Sequence, residues 1–70
     1  MNLYHYNIPV GKLLADPRAR AVIEREFPGL LQNPMLGFAK RMPLRRILKN
    51  ARGIVPQEQL SRVLRELEEL

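Results

Sequence analysis

The stretch DPRARAVIEREFPG, residues 16–29, contains both a start signal and a stop signal for one helix. Asp16 can accept hydrogen bonds from the free N–H groups of a first turn, and a proline at the next position lacks only a donor that the helix would leave unpaired. Pro28-Gly29 ends the helical pattern. We therefore predict a helix over residues 17–27, whose core-facing stripe consists of Ala19, Val22, Ile23 and Phe27.

On the N-terminal side of this helix, residues 1–8 alternate between two sets of side chains in a way that is typical of extended backbone. One strand cannot form a sheet, so we expect a short extended arm that lies on the helices. Pro9 then opens a short helix over residues 9–15, in which Val10, Leu13 and Leu14 share one face.

On the C-terminal side, three further prolines each precede an apolar pattern with helical spacing. They predict helices over residues 34–42, 43–52 and 56–69. In the first of these, Met35, Phe38 and Met42 are interpreted as core residues, with an adaptable docking stripe as the alternative. In the last, Glu58 and Arg62 have the spacing of a favourable ion pair within one helix.

These segments predict an all-α protein, a compact orthogonal bundle of four to five short helices with a short extended N-terminal arm. With 70 residues, the chain has room for one domain, which we assign to residues 1–70. No stretch approaches the roughly 20 apolar residues of a membrane span, and we expect neither a signal peptide nor a membrane span.

The residues that catalysis usually requires are scarce in this sequence. Cysteine and threonine are absent, and His5, Asp16 and Ser61 are each the sole residue of their type. A catalytic triad, a Cys–His pair or a metal cluster cannot be assembled from these residues within one chain. We therefore expect a protein that is not an enzyme and that has no cofactor and no metal. The absence of cysteine is typical of the reducing cytoplasm.

The excess of basic residues is concentrated in one part of the sequence. The net charge is +5, and no acidic residue occurs between Phe27 and Glu58. On the helix over residues 43–52, Arg45, Lys49 and Arg52 share the face opposite its apolar stripe. We predict a basic binding surface made of Lys40, Arg41, Arg45, Arg46, Lys49 and Arg52. The alternative is a solvated face that pairs with the acidic C-terminal helix.

Two other features have alternative interpretations. Tyr4 and Tyr6 are candidate aromatic contacts for a base or a sugar ring, and the alternative is that they pack the arm onto the core. Residues 43–70 also have the order of a helix-turn-helix, but the second helix has net charge −2 and would repel a major groove.

The segments VGKLLADP (10–17), FPGLLQNP (27–34) and GFAKRMPLR (37–45) resemble a small helical module that occurs as a C-terminal appendage of some bacterial glycoside hydrolases and esterases. More distantly, the chain is similar to the hybrid-cluster-protein-associated disulfide domain, a family of short bacterial helical proteins. The likeness covers roughly residues 8–67 and implies a helical fold. The Cys-x-x-Cys pair of the disulfide family is missing from the loop at residues 28–34, so no redox or metal role carries over.

From these observations we expect a cytoplasmic, non-catalytic protein-interaction or accessory module. Its partner is expected to be another protein or a second copy of the chain. The first alternative is a protein that binds nucleic acid or another polyanion through its basic helix face. The second, which the resemblance implies, is an accessory module of carbohydrate-active enzymes.

Overall fold

Prolines and capping residues set the ends of the helices in the computed structural model, which describes all 70 residues. The chain forms five α-helices and one 3-10 turn, and it contains no strand, so the prediction of an all-α bundle is confirmed. None of the helices has the length and apolar character that crossing a bilayer requires. The helices are α1 (Val10–Ala15), α2 (Pro17–Glu26), α3 (Leu36–Ala39), α4 (Leu44–Ala51) and α5 (Gln57–Glu68), with the 3-10 turn at Leu30–Gln32 between α2 and α3.

The predicted start of α2 is confirmed in atomic detail. Asp16 is its N-cap, and the Asp16 carboxylate accepts a hydrogen bond of 2.9 Å from the backbone N–H of Arg18. Three other prolines, Pro9, Pro43 and Pro56, occupy the N-cap positions of α1, α4 and α5, with ψ values of 138°, 148° and 140°. Because proline fixes φ near −65°, each of these residues restricts the backbone immediately before a helix.

The core is formed mainly by α1, α2 and α5, and its centre lies where the predicted apolar stripes meet. Leu13 of α1 is 1% exposed and Leu67 of α5 is fully buried. Eleven buried apolar residues form one cluster, and no buried polar side-chain atom lacks a hydrogen-bond partner. The radius of gyration, 11.1 Å, equals the value of about 11 Å expected for a compact chain of this length.

The N-terminal arm lies on the helices as predicted, but the prediction that its backbone is extended is wrong. Tyr4, His5 and Tyr6 have φ values of 53°, 56° and 67°, which place three consecutive residues in the left-handed region. The turn lets the backbone N–H of Ile8 donate to the carbonyl of Leu3 at 3.2 Å. Both Leu3 and Ile8 are buried. An extended arm would have no neighbouring strand to satisfy its backbone groups, whereas the turn satisfies them locally and buries both apolar ends.

Backbone hydrogen bonds hold the start of α4 against the N-terminal segment. The N–H of Val10 donates to Met42 at 2.9 Å, and the N–H of Leu44 donates to Ile8 at 2.8 Å. The N–H of Gly11 donates to the carbonyl of Lys40 at 3.0 Å. A Cβ atom at Gly11 would lie 3.2 Å from that carbonyl oxygen, so the close approach favours glycine. These bonds fix the position of α4 relative to the arm.

The prediction for residues 34–42 is wrong in its extent and in its core face. The helix α3 contains only Leu36–Ala39, and Met35 and Phe38 are 62% and 64% exposed, while Leu36 and Ala39 face inward. Asn33 and Pro34 begin the segment with a turn, in which Asn33 Oδ1 accepts from the N–H of Met35 at 2.8 Å. Because of this turn, the helix begins at Leu36, and the residues that face the core are shifted by one position from the predicted ones.

A cavity of about 250 Å³ lies between α4 and the rest of the core. Its lining is entirely apolar and includes residues from all five helices. Of the residues in α4, only Leu44 is buried, so this helix forms a loosely packed wall. The packing of α4 is therefore the weakest part of the core.

Two glycines offer a matched test of the backbone. Gly53 ends α4 with a φ of 83°, whereas Gly37 lies within α3 with ordinary φ, and a Cβ atom would meet no other atom at either position. We expect Gly53→Ala to lower the free energy of unfolding by about 1 kcal/mol, because L-residues are strained in the left-handed region. Gly37→Ala should raise it by about 0.5 to 1 kcal/mol. Urea denaturation of both variants checks the prediction, and effects of the same sign would contradict it.

Candidate functional site

The basic residues of α4 lie on the side that faces away from the core. Arg45, Lys49 and Arg52 are exposed, and the apolar side chains of Leu44 and Ile47 point inward or are half-buried. The spacing of Arg45 and Lys49 places them on one face of α4, and Arg52 follows directly after the helix as its C-cap residue, with extended backbone. The N–H of Arg45 also donates to the carbonyl of Tyr6, which brings the arm to the edge of this face.

A groove of about 630 Å³ runs between α4 and α5 along this basic face. Its floor is apolar and consists of Leu48, Leu60 and Leu64. Its rim is polar and consists of Tyr6, Arg45, Lys49, Arg52, Gln57, Ser61, Arg65 and Glu68. The groove therefore combines four cations with an apolar floor.

The structure divides the six predicted basic residues into two sets. Arg45, Lys49 and Arg52 line the groove, and Arg65 of α5 joins them there. Lys40, Arg41 and Arg46 are exposed but do not line it. We call the first set, Arg45, Lys49 and Arg52, the groove cations and the second set, Lys40, Arg41 and Arg46, the outer cations.

The two candidate tyrosines lie in different environments. Tyr6 lines the groove, packs against the core and donates a hydrogen bond of 3.1 Å from its hydroxyl to Glu68. Burial, with a further contribution from this hydrogen bond, raises the pKa of Tyr6 above its usual value. Tyr4 is 52% exposed and lies outside the groove, with Lys12 Nζ 5.8 Å from its ring centre. The interpretation of Tyr6 as a packing residue is thus supported, whereas Tyr4 is a surface residue.

None of the six predicted basic residues forms an ion pair or a side-chain hydrogen bond within the chain. The ion pairs of α5 are made with α2 instead: Glu66 pairs with Arg25, and Arg62 pairs with Glu26 at 2.7 Å. The predicted Glu58–Arg62 pair is therefore not formed. The predicted alternative pairing of the basic face with the acidic C-terminal helix is not formed either, since the only carboxylate at the groove, Glu68, accepts from Tyr6. A solvated basic face stays an alternative prediction.

Glu26 is the centre of the ionic contacts between α2 and α5. The hydrogen bond from Arg62 is the main cause that holds the pKa of Glu26 below its usual value, and Arg25 adds to the effect. The Glu26 carbonyl also accepts a hydrogen bond of 3.0 Å from the side chain of Gln59. These contacts occupy the carboxylates of this side of the molecule and leave the groove cations free to bind an anion from outside.

Sequence reasoning missed the contribution of α5 to the groove. Gln57, Ser61 and Arg65 are spaced four residues apart and share one face of α5, a pattern that the sequence already contains. The negative net charge of α5 gave no indication that Arg65 contributes to a basic groove, because the negative charges of this helix lie mostly on its other faces. Counting charge by face rather than by helix would have identified Arg65.

The groove is suited to binding anions. Guanidinium groups donate two parallel hydrogen bonds to a carboxylate or a phosphate, and they keep their charge at any physiological pH. No group of three or more His, Cys, Asp or Glu side chains comes together anywhere in the chain as a metal site would need. Comparisons with models of known families, with curated proteins and with solved structures gave no match. We therefore infer a function from the chain's own side chains.

Proposed function

We propose that this protein is a non-catalytic interaction module that binds an acidic segment of a partner protein in the groove between α4 and α5. The observation that carries the proposal is that the groove cations and Arg65 line one concave surface and have no carboxylate partner in the chain. A cytoplasmic location belongs to the same proposal, and the absence of cysteine supports it.

The apolar floor favours a protein segment over a simple polyanion. Leu48, Leu60 and Leu64 would be covered by apolar side chains of the partner, while its carboxylates meet the cations of the rim. Burial of apolar surface supplies affinity that does not depend on salt, and charge complementarity supplies specificity and a faster association rate. A segment that alternates Glu and Leu meets both requirements.

A second candidate function is the binding of nucleic acid or another polyanion. It is favoured by the outer cations, which are also exposed and unpaired and which extend the basic surface beyond the groove. Phosphates would then be bound along the whole basic surface, with a steep dependence of affinity on salt.

Binding of three probes over a salt series distinguishes the two functions. The probes are a peptide that alternates Glu and Leu, an oligoglutamate of equal charge and a single-stranded oligonucleotide, each followed by fluorescence anisotropy. We expect the Glu/Leu peptide to bind most tightly and to retain part of its affinity at high salt. Equal affinities for all three probes with the same salt slope would support the polyanion function instead. Absence of binding by every probe at low salt would contradict both proposals.

A further inference from the structure

The apolar cavity and the cationic groove are neighbours that share a wall. Leu48 of α4 and Leu60 and Leu64 of α5 line both of them. On one side of these leucines lie fifteen further apolar residues of the cavity lining, and on the other lie the groove cations and Arg65. A single molecule that passes between α4 and α5 would therefore meet an apolar environment at one end and a positive one at the other.

The lining of the cavity determines the chemistry of the part that enters it. It offers no polar side chain, so a polar group placed there would lose its hydrogen bonds to water without replacement. Apolar cavities of about 150 Å³ in proteins bind benzene. A cavity of about 250 Å³ has room for a longer hydrocarbon group, on the order of eight to ten carbons.

The leucines between the cavity and the groove belong to the least tightly packed part of the core. Leu48 and Leu64 are only half-buried, and Leu44 is the single buried residue of α4. Regions with few buried apolar contacts open at lower free energy than the rest of a core. The α4–α5 seam, where Leu48 and Leu64 are half-buried and Leu60 is buried, is therefore the route into the cavity that we consider.

We propose that the protein binds a free medium-chain amphiphilic carboxylate, with its hydrocarbon chain in the apolar cavity and its carboxylate on the groove cations. The chain length follows from the cavity volume, and the negative charge follows from the unpaired arginine and lysine side chains at the groove. This inference shares the groove cations with the proposed acidic partner, but the cavity plays no part in that proposal, so the two can be tested separately.

Calorimetric titration of the 70-residue chain with decanoate, below its micelle concentration, tests the proposal. Decanol lacks the charge, decyltrimethylammonium reverses it, and butanoate lacks the chain. We expect decanoate to bind about tenfold more tightly than any of the three. Similar affinities for decanoate, decanol and decyltrimethylammonium would overturn the assignment of the carboxylate to the groove. Binding to anionic phospholipid vesicles without binding to free decanoate would overturn the choice of ligand.

Two variants separate the roles of the cavity and the groove. Ala51→Leu adds volume to the cavity lining without altering any charge, and Lys49→Gln removes one groove cation without altering the cavity. Each is expected to weaken decanoate binding by about tenfold, whereas Lys12→Gln on α1 should leave it unchanged. Unchanged decanoate binding by Ala51→Leu would overturn the proposal. Binding of the Glu/Leu peptide by Ala51→Leu should be retained, so the failure of one proposal is distinguishable from the failure of the other.

Discussion

Leu67→Ala is expected to lower the free energy of unfolding by about 3 to 4 kcal/mol, which approaches the whole stability of a chain of this size. Leu67 is fully buried at the centre of the core, where α5 meets α1 and α2. The substitution removes apolar contacts and leaves a cavity that the surrounding helices cannot fill without moving. Urea denaturation followed by circular dichroism measures the change.

Ile54→Ala is the matched control for this substitution. Ile54 is also a large aliphatic residue, but it is 81% exposed in the turn between α4 and α5. We expect its truncation to alter the free energy of unfolding by less than about 0.5 kcal/mol. A cost of Leu67→Ala as small as that of Ile54→Ala would show that α5 does not pack as described.

Reversal of the three groove cations is the second change with a large expected effect. In the variant Arg45→Glu, Lys49→Glu, Arg52→Glu, each substitution changes the charge by −2, so the net charge falls from +5 to −1. Binding of the Glu/Leu peptide should weaken by about 100-fold or more, because attraction at the rim becomes repulsion at the same distance. Fluorescence anisotropy at low salt measures the loss.

The outer cations provide a control with the same net charge. Reversal of Lys40, Arg41 and Arg46 to glutamate also gives −1, but it leaves the groove intact. We expect the affinity for the Glu/Leu peptide to fall by less than about tenfold, because only the long-range attraction becomes weaker. Equal losses in the two triple variants would contradict a binding site in the groove and favour the polyanion function. Circular dichroism of both variants verifies that the helices are retained.

Most helix boundaries could be predicted from the sequence because the interactions that set them are local. The cap at Asp16, the proline after it and the left-handed glycine at the end of α4 act within a few residues of the helix end. The apolar stripes of α1, α2 and α5 were predicted for a similar reason, since helical spacing alone places those side chains on one face.

The arm and α3 could not be predicted in the same way. In the arm, the alternation of side chains indicated an extended chain, but backbone hydrogen bonds and the burial of Leu3 and Ile8 produced a left-handed turn. In α3, the turn at Asn33 shifted the helix and exposed Phe38. The arm depends on contacts with distant residues, such as those with the start of α4, whereas the turn at Asn33 is a local interaction that apolar spacing alone does not reveal.

By itself, the sequence determined that this chain is helical, that its leucines form a core and that Arg45 and Lys49 share one helix face, because helical periodicity is a property of neighbouring residues. The tertiary structure alone decided that this face borders a groove and that Arg65 completes it. It also decided that the carboxylates of α5 pair with α2 and leave the groove cations free. The physical reason is that a helix specifies directions around its own axis, whereas the partner of each face depends on how the helices pack.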